Sequence, residues 1–402
     1  MRNAAYWAIL ICVVSGCALS PLRTPRSRPM VERLAPESWP VLRDDLDARS
    51  FSRASRASIE YLRKRENEFY RLGDLQIGKQ RLIDTLERLD QILAGNPGEK
   101  DLNNLLREEF ELFQIHRSTE VRSAHYSSYY QPVLQASKKQ TDQFAYPIYK
   151  APPDMISADL KEFGKQGETI IGRINAEGRF VPYFDRRDID VRDALKGKDL
   201  EIAWLKSSFD RLNLHIQGSG LLRFTDGTEA MAQFSATNAL PYKSVGMTVV
   251  GSGAMTREEI TSESLQKYLK DHPEGEAWLI SQNPRYTFFS LRPLENEEEP
   301  PGSIGRPLTA GRSIAIDPKY TPLGFAAYVS LPMIQAGKNG GWLGKYPASR
   351  FVHCQDTGGA IKGPARIDLY MGHGDQAKAT AHNVWEKGDF YVILKKLPGR
   401  DR

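Results

Sequence analysis

The sequence has few cysteines, few histidines and no apolar run long enough to cross a bilayer as a helix, and each absence excludes something. Three cysteines occur in 402 residues. Cys12 lies inside an N-terminal apolar stretch and Cys17 ends it, so Cys354 stands alone and no intrachain disulfide is expected in the mature protein. Cys354 beside an apolar run reads as a small core residue. Its neighbour His353 completes no Cys/His pair, because adjacent strand residues point to opposite faces. His125, His353, His373 and His382 are scattered without metal-ligand spacing. Charge of one sign is also scarce. The net charge is +5 with 26% charged residues, too mild for nucleic acid, and no recognition motif for it appears. A slightly basic surface still suits an anionic polymer or a membrane face. Hydrophobic residues make up 40%, ordinary for a globular chain long enough for two medium domains or one large one.

The N-terminus reads as a processed leader. Arg2 precedes an apolar stretch from Ala4 to Val14, too short for a mature spanning helix. It ends Val14-Ser15-Gly16-Cys17, which resembles the lipobox of bacterial lipoproteins and makes Cys17 the expected lipidation site. Acyl chains there would hold the protein on a membrane without a spanning helix. By the same resemblance, Ala18 after the cysteine favours the outer membrane. Residues 18–44, rich in Pro, Arg and Ser, read as a flexible tether.

From about Asp45 to Arg117 the periodicity is helical. Leu82, Leu86, Leu89 and Leu93 share a face, and Ile59 with Leu62, and Phe69 with Leu72, follow the same spacing. Gly95-Asn96-Pro97-Gly98 stops one helix, and Asp101 is a candidate cap for the next. After Ser123 short apolar runs recur with Gly and Pro about every ten residues. Leu214–Gln217, Gly220–Phe224, Met247–Val250, Tyr286–Leu291 and Phe325–Leu331 predict strands of a barrel or sandwich. The acidic segment from Glu295 to Gly302 reads as a solvated loop.

Three aspartates have distinctive settings: Ala315-Ile316-Asp317-Pro318, Asp356-Thr357-Gly358-Gly359-Ala360-Ile361-Lys362-Gly363, and Arg366-Ile367-Asp368-Leu369-Tyr370. Strand alternation puts Asp368 and Tyr370 on one face and Ile367 and Leu369 on the other. Gly358-Gly359 would let backbone come close where a bulky polymer passes. Asp317 before a proline reads first as a turn residue. Tyr129, Tyr130 and Tyr370 could stack on sugar rings, with core packing an equal alternative for each. Gln217 and Ser219 could hydrogen-bond acetamido groups, and Lys362 could pair with Asp356 or meet a peptide carboxylate. The aspartates do not share a single ligand loop, so no metal is expected.

The aspartate segment resembles the 3D domain, and the chain around it resembles the membrane-bound lytic murein transglycosylase A family. Tyr126-Ser127-Ser128-Tyr129-Tyr130-Gln131-Pro132, Gly178-Arg179-Phe180-Val181-Pro182-Tyr183, Ile216-Gln217-Gly218-Ser219-Gly220, Pro241-Tyr242-Lys243-Ser244-Val245-Gly246 and Asn283-Pro284-Arg285-Tyr286 follow the family's blocks in order. Ser128, Asn238-Ala239 and Lys206-Ser207-Ser208 depart from it. The resemblance implies a mainly β fold with N-terminal helices: a double-psi β-barrel with a second β-barrel inserted into it and a groove between them. Domain A would be 45–133 with 292–402, its 3D segment at 305–395, and domain B 134–291. It also implies a lyase that cuts peptidoglycan glycan strands without water or cofactor, leaving 1,6-anhydromuramic acid ends. Asp368 would serve as acid and then base, supported by Asp356 and Asp317. The expected partners are the glycan strand and the membrane. An expansin-like wall-binding protein without catalysis is the alternative.

Overall fold

The computed structural model describes residues 30–165, 169–294, 299–337 and 341–397. The leader, Cys17 and residues 18–29 of the expected tether lie outside them. In chain order the strands of the two main sheets are β1 (Val31–Arg33), β2 (Phe110–Ile115), β3 (Ala124–Gln131), β4 (Val133–Ser137), β5 (Tyr146–Tyr149), β6 (Glu201–Leu205), β7 (Ser219–Phe224), β8 (Glu229–Thr237), β9 (Thr287–Pro293), β10 (Ser313–Ala315), β11 (Ala326–Ala336), β12 (Trp342–Asp356), β13 (Arg366–His373) and β14 (Trp385–Lys395).

Strands β14, β11, β12, β10, β13 and β3 follow one another around a ring that closes when β14 pairs with β3. Closure leaves no unpaired edge in this six-strand barrel. Two of its pairings are parallel, β10 with β12 and β13 with β3. Strands β2 and β1 extend the sheet outward from β14. The chain then leaves the first barrel. Strands β9, β8, β7, β4, β6 and β5 form a second sheet in that order, and its edge strands β5 and β9 come near each other, so the barrel almost closes. All six lie between β3 and β10 in sequence, which makes this barrel an insertion, as expected.

Helices pack around the barrels. Asp47 caps the helix Ala48–Lys64 by accepting from the Ser50 amide at 2.9 Å. Phe51, Ile59 and Leu62 put its apolar stripe into the first core. The helix Lys79–Ala94 buries Leu82, Leu86, Leu89 and Leu93 in the same core. Polar pins join helix to barrel: Gln355 donates to the Ala54 carbonyl at 2.6 Å and to Ser58 at 2.9 Å.

Several expectations need correction. Phe69–Leu72 is not helical; it pairs with Leu75–Gly78 as a hairpin. The following helix starts at Glu99 with Gly98 as its cap, so Asp101 sits inside the first turn. Leu214–Gln217 ends a helix, Ser208–Gln217, whose cap Ser207 accepts from the Asp210 amide at 3.0 Å. Met247–Val250 belongs to the helix Val245–Gly251, capped by Ser244. In both places a serine cap decides what a short apolar run leaves ambiguous. The tether expectation also fails from Met30 onward. Val31–Arg33 pairs with β2, and Asp44 and Asp45 form ion pairs with the buried Arg312 and Arg350 at 2.8 and 2.6 Å.

Candidate active site

The register of the first barrel sets two carboxylates in one row. Ala315 of β10 is the partner of Asp356 on one side and of Asp368 on the other, and Asp368 in turn is the partner of Ser127 on β3. Register partners share a face, so Asp356, Ala315, Asp368 and Ser127 lie side by side. With strands about 4.8 Å apart, the two aspartate backbones sit about 10 Å from each other across one small residue.

Their hydrogen bonds differ. Asp356 is held on both oxygens: Tyr129 donates to Oδ2 at 2.6 Å, and the Ser303 amide and hydroxyl donate to Oδ1 at 2.9 and 2.8 Å. Asp368 accepts from Ser127 on Oδ1 at 2.5 Å. Ser127 in turn accepts from Arg366 at 2.8 Å. Burial pushes the Asp368 carboxyl up to about 6; the Ser127 bond and the Arg366 charge oppose the rise, and the neighbouring Asp356 adds to it. Burial raises Asp356 as well, against the bonds from Tyr129 and Ser303. One carboxyl thus has its lone pairs committed to fixed donors, and the other has a titration point near neutrality and one anchored oxygen.

A cleft of about 450 Å³ opens beside this row. The first barrel contributes Tyr129, Asp356–Gly359, Lys362 and Pro301–Ser303; the inserted barrel contributes His215–Ser219, Gln233, Phe234, Thr237 and Arg285. Gly359 lies against the Arg285 guanidinium, where a Cβ would come within 2.6 Å of a terminal nitrogen. The glycine thus leaves room for a side chain of the opposite barrel at the cleft wall. Among the described residues no group of three or more His, Cys, Asp or Glu is placed to hold a metal ion.

Residues 125–290 match the MltA specific insert domain and residues 312–394 the 3D domain. The membrane-bound lytic murein transglycosylase A of Escherichia coli K12 is 27% identical over 304 residues, covering 74% of this chain and 73% of that protein. Its homolog in Buchnera aphidicola is 25% identical over 279 residues, 69% of this chain and 68% of that one. This chain belongs to the membrane-bound lytic murein transglycosylase A family. The crystal structure of a membrane-bound lytic murein transglycosylase from Agrobacterium tumefaciens superposes with a TM-score of 0.71 at 26% identity, over 91% of this chain and 97% of that one. E. coli MltA with bound chitohexaose aligns over 92% of this chain and 96% of that one, with a TM-score of 0.68. At 21% identity that likeness speaks for the fold.

Within this family member the expected site residues divide. Asp356, Tyr129, Gln217, Ser219 and Lys362 line the cleft, and Asp368 adjoins it through the strand row. Asp317 is buried and holds a turn: it accepts from the Gly363 amide at 2.8 Å, which ties the loop after Asp356 to the barrel. Two tyrosines do not face the groove. Tyr130 packs on Ala377 and Ala381 and its hydroxyl accepts from Asn213 at 2.8 Å. It follows Tyr129 on the same strand, and alternation sends it to the opposite side. Tyr370 is fully buried, backs Tyr129 with ring centroids 5.2 Å apart and donates to Glu299. Both take the core-packing alternative. Gln217 also spends part of its amide on the Tyr130 backbone at 3.2 Å. Ser127, Ser303, Arg366 and Arg285 went unrecognised in the sequence. The spacing Ser127-Ser128-Tyr129 was visible, but only the parallel pairing of β3 with β13 brings Ser127 to Asp368.

Proposed function

We propose that this chain is a lytic transglycosylase that cleaves the β-1,4 bond between N-acetylmuramic acid and N-acetylglucosamine in peptidoglycan. Asp368 protonates the glycosidic oxygen, and the oxocarbenium-like centre is captured by the muramyl C6 hydroxyl. The same carboxylate then takes the C6 proton, and a 1,6-anhydro end results. One group doing both steps needs a pKa near the working pH. The observation that carries this reading is the half-buried Asp368, raised to about 6 and anchored by Ser127. Asp356, its oxygens taken by Tyr129 and Ser303, acts as the charged neighbour and not as the acid. Gln217, Ser219 and Lys362 meet the strand in the cleft. Domain A comprises 30–132 with 294–397, and domain B 133–293, so that Val31–Arg33 joins the first barrel's sheet and the strands Val133–Ser137 and Thr287–Pro293 stay whole in the inserted barrel. The enzyme is attached through lipid on Cys17 to the periplasmic face of the outer membrane.

Mass spectrometry of sugar ends released from purified peptidoglycan tests the reaction. Anhydro ends are expected; reducing ends would mean that water captures the centre and the enzyme is a hydrolase. Release of nothing, with strands still bound, would favour an expansin-like binder.

A further inference from the structure

A second and larger cavity, about 830 Å³, lies beside the cleft. Pro301 and Leu308 line both spaces, so the rim loop from Glu299 to Leu308 borders each of them. That loop is compact: Gly302 and Leu308 donate backbone bonds to Arg306 and Pro300 at 2.9 and 3.0 Å. One face of the loop brings Ser303 to Asp356, and the other borders the second cavity.

Among the described residues, the lining of the second cavity holds four arginines and two glutamates. Arg53 and Arg56 come from the helix Ala48–Lys64, Arg292 from the end of β9, and Arg306 from the loop itself. Its two acids are already engaged, Glu60 with Arg306 at 2.8 Å and Glu299 with the Tyr370 hydroxyl. Arg53, Arg56 and Arg292 have no ion-pair or hydrogen-bond partner among the described residues. Three unpaired guanidinium groups around one cavity suit a ligand with several carboxylates, which arginine binds bidentately.

We propose that this cavity binds the carboxylates of the peptide branch borne by the muramic acid whose bond is cut. The inference rests on the peptidoglycan reading above. A muramic acid ring beside Asp368 must send its peptide out of the cleft, and the adjoining space across the rim loop carries the complementary charge. The arginines would favour strands that keep their peptides over bare glycan.

The test uses the full chain carrying Asp368→Asn, titrated with glycan fragments that keep their peptides and with the same fragments stripped by an amidase. The peptide-bearing fragments should bind about tenfold tighter at low salt, a factor in keeping with one or two charge-assisted contacts. The advantage should shrink at about 0.5 M salt, as screening requires. Adding Arg53→Gln and Arg56→Gln should erase the preference and leave binding of stripped fragments unchanged, while Arg53→Lys with Arg56→Lys should keep part of it. Equal binding of both fragments, or an equal loss for both in the glutamine variant, overturns the proposal. The peptidoglycan reading fails separately, if the native chain forms no anhydro ends from either fragment.

Discussion

Asp368 occupies a position where burial works against ionisation and only Ser127, with the Arg366 charge, helps the anion. A carboxyl whose pKa is raised in the folded state binds a proton that the unfolded chain has already lost. Stability from this group is therefore greatest below the unfolded value near 3.8 and falls as pH rises through about 6. Roughly two pH units correspond to at most about 3 kcal/mol. Asp368→Asn should thus melt higher than the native chain at pH 7–8, and the gain should vanish as pH falls towards 4; a melting-temperature series across pH checks this. The same variant should lose about 10²–10⁴-fold or more in anhydro-end release while still binding strands. Near native turnover by the folded variant would remove Asp368 from the chemistry. Its neighbours should move the pH profile in opposite directions. Asp356→Asn removes a like charge, so the Asp368 pKa and the activity optimum should fall. Ser127→Ala removes the donor that favours the anion, so both should rise. If Asp356→Asn proves to be the dead variant, the acid has been assigned to the wrong aspartate.

At the level of elements, the site depends on strand register and on the rim loop that ends at Leu308. Gly302 has no room for a side chain: a Cβ would lie 2.4 Å from Leu308 and 2.7 Å from the Gln355 carbonyl. Gly302→Ala must push the loop outward and carry Ser303 away from Asp356. It should cost about 1–3 kcal/mol, as overpacking does, and should lower turnover more than it weakens strand binding. Unchanged kinetics with lower stability would show that the loop is only a support. The aspartate segments and three of the five expected strand runs, Gly220–Phe224, Tyr286–Leu291 and Phe325–Leu331, were legible because glycine, proline and alternating apolar residues mark them locally. What could not be read was which strand lies beside which. Ser127 and Asp368 are 241 positions apart in the sequence, and nothing local in either segment announces their contact. For the same reason Tyr129 and Tyr130 looked alike as stacking candidates. Only the pairing of β3 with β13 shows which one faces Asp356 and which one turns to Ala377.

For the molecule as a whole, the question is how the barrel pair is held near its polymer. The fold begins early: Val31–Arg33 is hydrogen-bonded to β2, and the Asp44–Arg312 and Asp45–Arg350 pairs fix the chain that leads into the first helix. Whatever their conformation, residues 18–29 can span no more than about 40 Å, at about 3.3–3.6 Å per residue. A lipid on Cys17 would therefore keep the cleft within a short, fixed reach of the membrane surface. No helix among the described residues is long and apolar enough to cross a membrane. Removal of the lipid should not disturb folding, because the barrel core and its helices start at Met30 and beyond. Cys17→Ala should shift the protein from the membrane fraction to the soluble periplasmic fraction. Its activity on purified peptidoglycan in solution should remain unchanged. Retention on membranes would rule out a lipid anchor at that cysteine. Release with a matching loss of activity in solution would mean that the N-terminal segment serves the cleft as well as the membrane.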